Sequence, residues 1–190
     1  DHILQPLNTS QSVYFGQGSG SVATGIYNTG IGAYALNLNN SGLSNTAVGN
    51  SAMALNTSGG LNTAMGTSAL YGNLTGAENT AIGTFALYDN KGRSRSTAIG
   101  FKSMYYANSA AGAGTTFNTA VGYEALRGSL NSVNNTGINN TAVGDQAMNS
   151  NTSGSSNTAL GLKASFSNTT GYSNVAIGVK ALHNNLVQYN

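Results

Sequence analysis

The chain has no cysteine, a single proline (Pro6) and few charged groups among its 190 residues. Without cysteine there can be no disulfide and no thiolate metal site. That leaves the compartment open, because a large extracellular array with a continuous core needs no disulfide. Charged residues make up 6% of the chain, about a quarter of the ordinary share. The net charge of +2 is too near neutral for nucleic acid to be the main partner. Disorder goes with high net charge and few apolar groups, whereas 39% of this chain is hydrophobic. No apolar run approaches the roughly 18 residues of a membrane span, so no membrane insertion is expected of this segment. The chain begins at Asp1 rather than Met and stops within its pattern, and so reads as a piece of something longer.

Glycine is abundant, at 26 residues, and falls in a repeat. NTAVG at Asn45–Gly49 recurs as NTAMG, NTAIG, STAIG, NTAVG, NTAVG, NTALG and NVAIG. The motif starts at Asn28, Asn45, Asn62, Asn79, Ser96, Asn118, Asn140, Asn157 and Asn174, in steps of 17 except for two of 22. A degenerate copy, SVYFG, opens at Ser12. A period near 17 is too short for two-helix repeats and suits the coil of a β-solenoid. The array spans 12–182, between flanks 1–11 and 183–190.

The second motif position is Thr or Val, the third Ala (Gly30 in one copy), the fourth Val, Ile, Leu or Met, and the fifth always Gly. β-Branched residues favour strands, and side chains on a strand alternate faces. The second and fourth positions therefore share a face, expected to be the core. The opposite face holds nothing larger than Ala47, Ala64, Ala81, Ala98, Ala120, Ala142, Ala159 and Ala176, and is expected to lie against a neighbouring chain. The invariant Gly implies a backbone angle, or a contact, that admits no Cβ. After it runs a short segment such as NSAM or TSAL, too short to repay a helix nucleus and read as a second strand. Its second position, which is Tyr34, Ser51, Lys102 or Glu124 in different copies, reads as solvent-facing. Loops such as NTSG and NLTG follow, with turn chemistry. Asn and Thr can form ladders between coils, and Tyr71, Tyr88 and Tyr105 fall in register for an aromatic one.

The repeat N-[ST]-[AV]-[AVIL]-G, with Ala a few residues later, resembles the left-handed parallel β-roll heads of trimeric autotransporter adhesins. Its longer form, NTAxGxxAL with an NTTG loop, is similar to repeats of phage tail-fibre and bacterial surface fibre proteins. The resemblance covers about 12–182 and departs from the adhesin heads in period, which is shorter there. It implies a left-handed winding, a homotrimer, an extracellular place on a bacterial surface or a tail fibre, and attachment to a cell-surface receptor or glycan. The fold class expected is thus all-β: a parallel β-roll or β-solenoid of 9–10 coils.

Little here promises chemistry. His2 and His183 lie near opposite termini, and Asp1, Glu78, Asp89, Glu124 and Asp145 are spread among coils. Glu124 and Asp145 lie one coil apart without an acid–base partner system, and no cluster has metal-ligand spacing. No enzyme activity and no cofactor or metal are expected. A hexapeptide acyltransferase solenoid has a coil near 18, but this repeat does not divide into three sixes. An ice-binding solenoid is the alternative function. It needs an outward Thr array, whereas this Thr column shares its face with Val and Ile and is expected to point inward. Binding is expected where the array is irregular: in the longer loops of 105–117 and 127–139, and in the basic stretch before them. The candidates are Lys91, Arg93, Arg95, Lys102 and Arg127 for acidic groups, with Tyr105 and Tyr106 for sugar faces.

Overall fold

A computed structural model describes residues 11–109, 112–131 and 134–184; Asp1, His2 and most of both expected flanks lie outside these. Ten three-residue strands, one per coil, stack into a parallel sheet. In chain order they are β1 (Val13–Phe15), β2 (Thr29–Ile31), β3 (Thr46–Val48), β4 (Thr63–Met65), β5 (Thr80–Ile82), β7 (Thr97–Ile99), β9 (Thr119–Val121), β10 (Thr141–Val143), β11 (Thr158–Leu160) and β12 (Val175–Ile177). Each position pairs with its own copy: Thr46 with Thr63, Ala47 with Ala64, Val48 with Met65. The chain is an all-β parallel solenoid with a coil of about 17 residues. Between the regular coils β6 (Arg93–Ser94) and β8 (Gly114–Thr115) make a separate two-stranded parallel sheet.

The strand faces are the reverse of the expected ones. The third position points inward, and Ala47, Ala64, Ala81, Ala98, Ala120, Ala142, Ala159 and Ala176 are 0–1% exposed within the single chain. No neighbouring chain can reach them, so they are core and not an interface. The fourth position points outward: Ile31, Met65, Ile82, Leu160 and Ile177 are exposed, and Val48, Ile99, Val121 and Val143 half-buried. The reason is width. Each strand Ala meets a filled layer, because the segment after the Gly sends two consecutive residues inward, such as Ala52 with Met53 and Ala69 with Leu70. An Ala, a second Ala and one Leu or Met fill the coil.

That segment is not the expected strand. A strand cannot turn two consecutive side chains to one side. Here left-handed residues alternate with right-handed ones: Ser51 (φ 55°) and Met53 (φ 50°), Ser68 (53°) and Leu70 (53°), Phe85 (59°) and Leu87 (51°). The alternation also splits the hydrogen bonding. Ser51 N–H donates to Ala33 of the coil before and Met53 N–H to Ala69 of the coil after, while Ala52 N–H closes a turn on Gly49 O. Left-handed geometry at non-Gly residues costs roughly 1–2 kcal/mol each, and the cross-coil bonds hold it.

The fifth-position glycines from Gly16 to Gly161 combine the left-handed angle with a contact that admits no Cβ. Gly83 has φ +126°, and a Cβ there would lie 2.7 Å from Gly100 C and O in the next coil.

Two buried asparagine columns run along the rod, the first interrupted by Ser96 and the second bonded coil to coil from Asn39 to Asn90. In one, Asn62 donates its backbone N–H to Asn45 Oδ1 (3.0 Å) and its Nδ2 to Gly76 O (2.9 Å), and Asn79 repeats the bond onto Asn62 Oδ1. In the other, Asn56 Nδ2 donates to Asn39 Oδ1 (2.6 Å) and to Gly59 O (2.9 Å). The second column uses the first Asn of the NTSG-type loops, so those residues are turn-formers turned inward, closed to modification at their buried amides.

Candidate functional site

Two features stand outside the scaffold. The first is the outer face of the ten-stranded sheet. It carries a Thr column, an aliphatic column, and beyond the Gly a third column that includes Phe101, Tyr123, Leu162 and Val179, all exposed. Exposure at the last coil reaches 67% at Ile177 and 69% at Val179. Ten strands about 4.8 Å apart, each three residues of about 3.3 Å, give a face on the order of 450 Å². Only part of that face is apolar: the aliphatic column runs along it between the Thr column and a mixed column that also holds Asn50, Thr67, Thr84 and Asp145, and an exposed apolar stripe with a polar rim is a candidate interaction site.

The second feature is the edge where the two longer loops emerge. Asn135 Nδ2, in the second loop, donates to Ser109 Oγ (3.0 Å), in the first, so the loops are neighbours, as their positions suggested. The seven candidate residues do not form one patch. Tyr106 N–H donates to Arg127 O (2.7 Å), the Tyr106 ring meets Tyr105 edge-on at 4.4 Å, and Lys102 Nζ lies 5.8 Å from the centre of Tyr105. Those four form a cluster. Lys91 is paired with Asp89 at 3.0 Å. Arg95 is bound by Glu78 at 2.8 Å and lies over Phe117, at 5.7 Å, in the column just before the motif Asn. The Glu78 hydrogen bond pushes the Arg95 guanidinium pKa up. Arg93 sits in β6, and its carbonyl accepts from both asparagine columns (Asn79 and Asn90). The basic stretch is thus largely neutralised by its own carboxylates.

The tyrosines form the expected ladder. Tyr71 and Tyr88 stack at 5.2 Å and 6°, Tyr88 and Tyr105 at 4.8 Å and 8°. Both faces of Tyr88 and one of Tyr105 are therefore covered by other rings, so Tyr105 does not offer a free stacking platform on that side. Desolvation raises the pKa of Tyr88 and Tyr105.

No family model matches the chain, and neither a curated protein nor a solved structure matches it.

Of the carboxylates, Glu124 accepts from Gln146 Nε2 (3.1 Å) and Asp145 Oδ1 from the Tyr123 N–H (3.2 Å). Among the described residues no group of three or more His, Asp or Glu could hold a metal, and no helix is long and apolar enough to cross a membrane. Sequence reasoning missed the hydroxyl-rich groove beside Arg127, lined by Ser129, Asn149, Ser150, Thr152 and Thr169. Its only signal was that ordinary loop residues stand next to an insertion.

Proposed function

We propose that this chain is a structural and adhesive segment of an extracellular fibre, in which three copies pack sheet face to sheet face around one axis. The number three, the left-handed winding, the bacterial-surface or tail-fibre setting and the attachment to a receptor or glycan follow from the resemblance of the repeat. The observation that carries the reading is the outward apolar column, which replaces the Ala column as the interface. Covering a half-exposed aliphatic side chain contributes about 1 kcal/mol, so ten coils supply on the order of 10 kcal/mol per chain. A closed cyclic trimer hides this face without growing into open sheets. Light scattering tests the assembly: three times the chain mass of 19.2 kDa is expected, and a stable monomer overturns it.

One observation favours a second reading, ice binding: the Thr column does point outward on a parallel sheet in regular register. Against it, the adjoining columns vary from Val to Met and from Asn50 to Tyr123, an irregularity that suits packing on protein better than a lattice. A monomer that shows thermal hysteresis would take this reading over the fibre.

A further inference from the structure

We propose that the groove beside Arg127 binds a carboxylate-bearing saccharide, with the Arg127 guanidinium as the acid-recognising group. This rests on the adhesive reading and names the chemistry of its contact. The groove measures about 350 Å³, at the lower end of the range for small-ligand sites. Its base is fixed. Asn135 Oδ1 accepts from Ser129 N–H (3.0 Å), and Asn135 Nδ2 donates to Ser129 O (2.6 Å) and to the other loop at Ser109 Oγ. Asn149 Nδ2 is held by Glu124 O (3.1 Å). Binding here has little of the groove's base left to order.

Arg127 differs from Lys91 and Arg95 at this edge. Lys91 and Arg95 have carboxylate oxygens at 3.0 and 2.8 Å. The nearest carboxylate oxygen to Arg127 is Glu124 Oε1, 3.7 Å from Nη1, beyond hydrogen-bond range. The other Glu124 oxygen is taken by Gln146. The Arg127 Nε is shielded from water without a partner, while the side chain as a whole is 36% exposed. A planar fork of five donors is thus barely used and lines a groove whose other polar walls are hydroxyls and an amide. A carboxylate in the groove takes the fork side-on, drawing the side chain outward and giving Nε a partner. Sugar hydroxyls match Ser150 and Thr169, while Thr152 Oγ1, which donates to Thr169 O (3.0 Å), is left to accept. Arg93 also has an unpartnered buried Nε, but the groove next to it in sequence is lined by Lys91, Gly92 and Ala113.

Saturation-transfer NMR with a disaccharide ending in glucuronate, and with the same disaccharide ending in glucose, tests this. The acidic probe should bind about tenfold or more tightly. Arg127→Gln should abolish that preference and Glu124→Gln should keep it. In the wild type, protonating the probe's own carboxylate at low pH should remove the preference, a readout that stands even if the arginine variant does not fold. Equal binding of the two probes, no binding of the acidic one, or a preference that survives Arg127→Gln overturns the proposal. Mass is measured on the same samples: a trimer without preference overturns the groove alone, and a monomer with preference overturns the assembly alone.

Discussion

Gly16 and Gly178 occupy the same motif position in the first and last coils, with φ of +125° and +118°. Alanine at either must adopt a backbone region that side chains avoid, at about 1–3 kcal/mol. Among the described residues only Gly16 of the two faces a following coil. Its Cβ would lie 2.6 Å from Gly32 C and O, whereas nothing lies within 4 Å of a Cβ at Gly178. The obstructing atoms are backbone, and they cannot yield without breaking the 2.7 Å bond from Gly32 N–H to Phe15 O. Overpacking of this kind adds about 1–3 kcal/mol. Gly16→Ala should therefore cost about 2–6 kcal/mol and Gly178→Ala only the backbone part, a gap of about 1–3 kcal/mol. Both coils are outermost among the described ones, so in this 190-residue chain fraying affects the two alike. Urea unfolding followed by far-UV circular dichroism gives the two values, with central Gly83→Ala expected to match or exceed Gly16→Ala. Equal costs at the two ends would refute the claim that coil spacing, and not backbone angle alone, fixes these glycines.

Three further outcomes are expected. Asn62→Asp places a carboxylate oxygen against two acceptors, Asn45 Oδ1 and Gly76 O. Its folded pKa is raised, so the variant should be nearest to wild type below the ordinary Asp value of about 3.9 and lose roughly 2–4 kcal/mol as pH rises to 7; a loss independent of pH in a thermal scan contradicts the ladder. Tyr14, Tyr88 and Tyr105 have pKa values raised above 10.0 by burial. The unfolded chain releases these protons first, so stability is full below pH 10 and falls above it. Tyr88→Phe should flatten that alkaline fall, and an unchanged slope counts against the desolvated ladder. Val121→Lys, on the outer face, should give a folded monomer by light scattering and circular dichroism, whereas Ala120→Lys, in the core, should unfold its coil.

The coil was readable because its constraint is repeated. A period of 17, an invariant Gly and one Asn per copy define stack, turn and ladder whatever the side-chain directions. The direction of the strand faces was not readable from hydrophobicity, which ranks Val48 above Ala47 for the core. What decides is the space left by Met53 and Leu70, and that depends on a left-handed alternation at Ser51 and Met53 that residue preference does not announce. The same local geometry hid the nature of the second segment, since Ala–Leu in sequence looks like either helix or strand. At the loop edge, Lys91, Arg93 and Arg95 are adjacent in sequence. Asp89, two residues from Lys91, pairs with it locally, while Glu78 reaches Arg95 only through coil stacking, so a basic run did not become a basic patch. The groove is built from Arg127, Asn149 and Thr169 of successive coils, and no local signal in the sequence joins them.

The central claim, that copies of this chain meet through the outer sheet face around one axis, is tested most directly by spin-label distances. The chain has no cysteine, so a single cysteine at Val48, at Val121 or at Leu160 can be labelled alone in three separate samples. A parallel cyclic trimer puts the same residue of each chain at one level of the axis. The account predicts one short inter-chain distance, alike in all three samples. Distances that differ along the rod would mean antiparallel pairing, and the absence of any dipolar coupling would mean that this face meets no second copy; either result contradicts the claim.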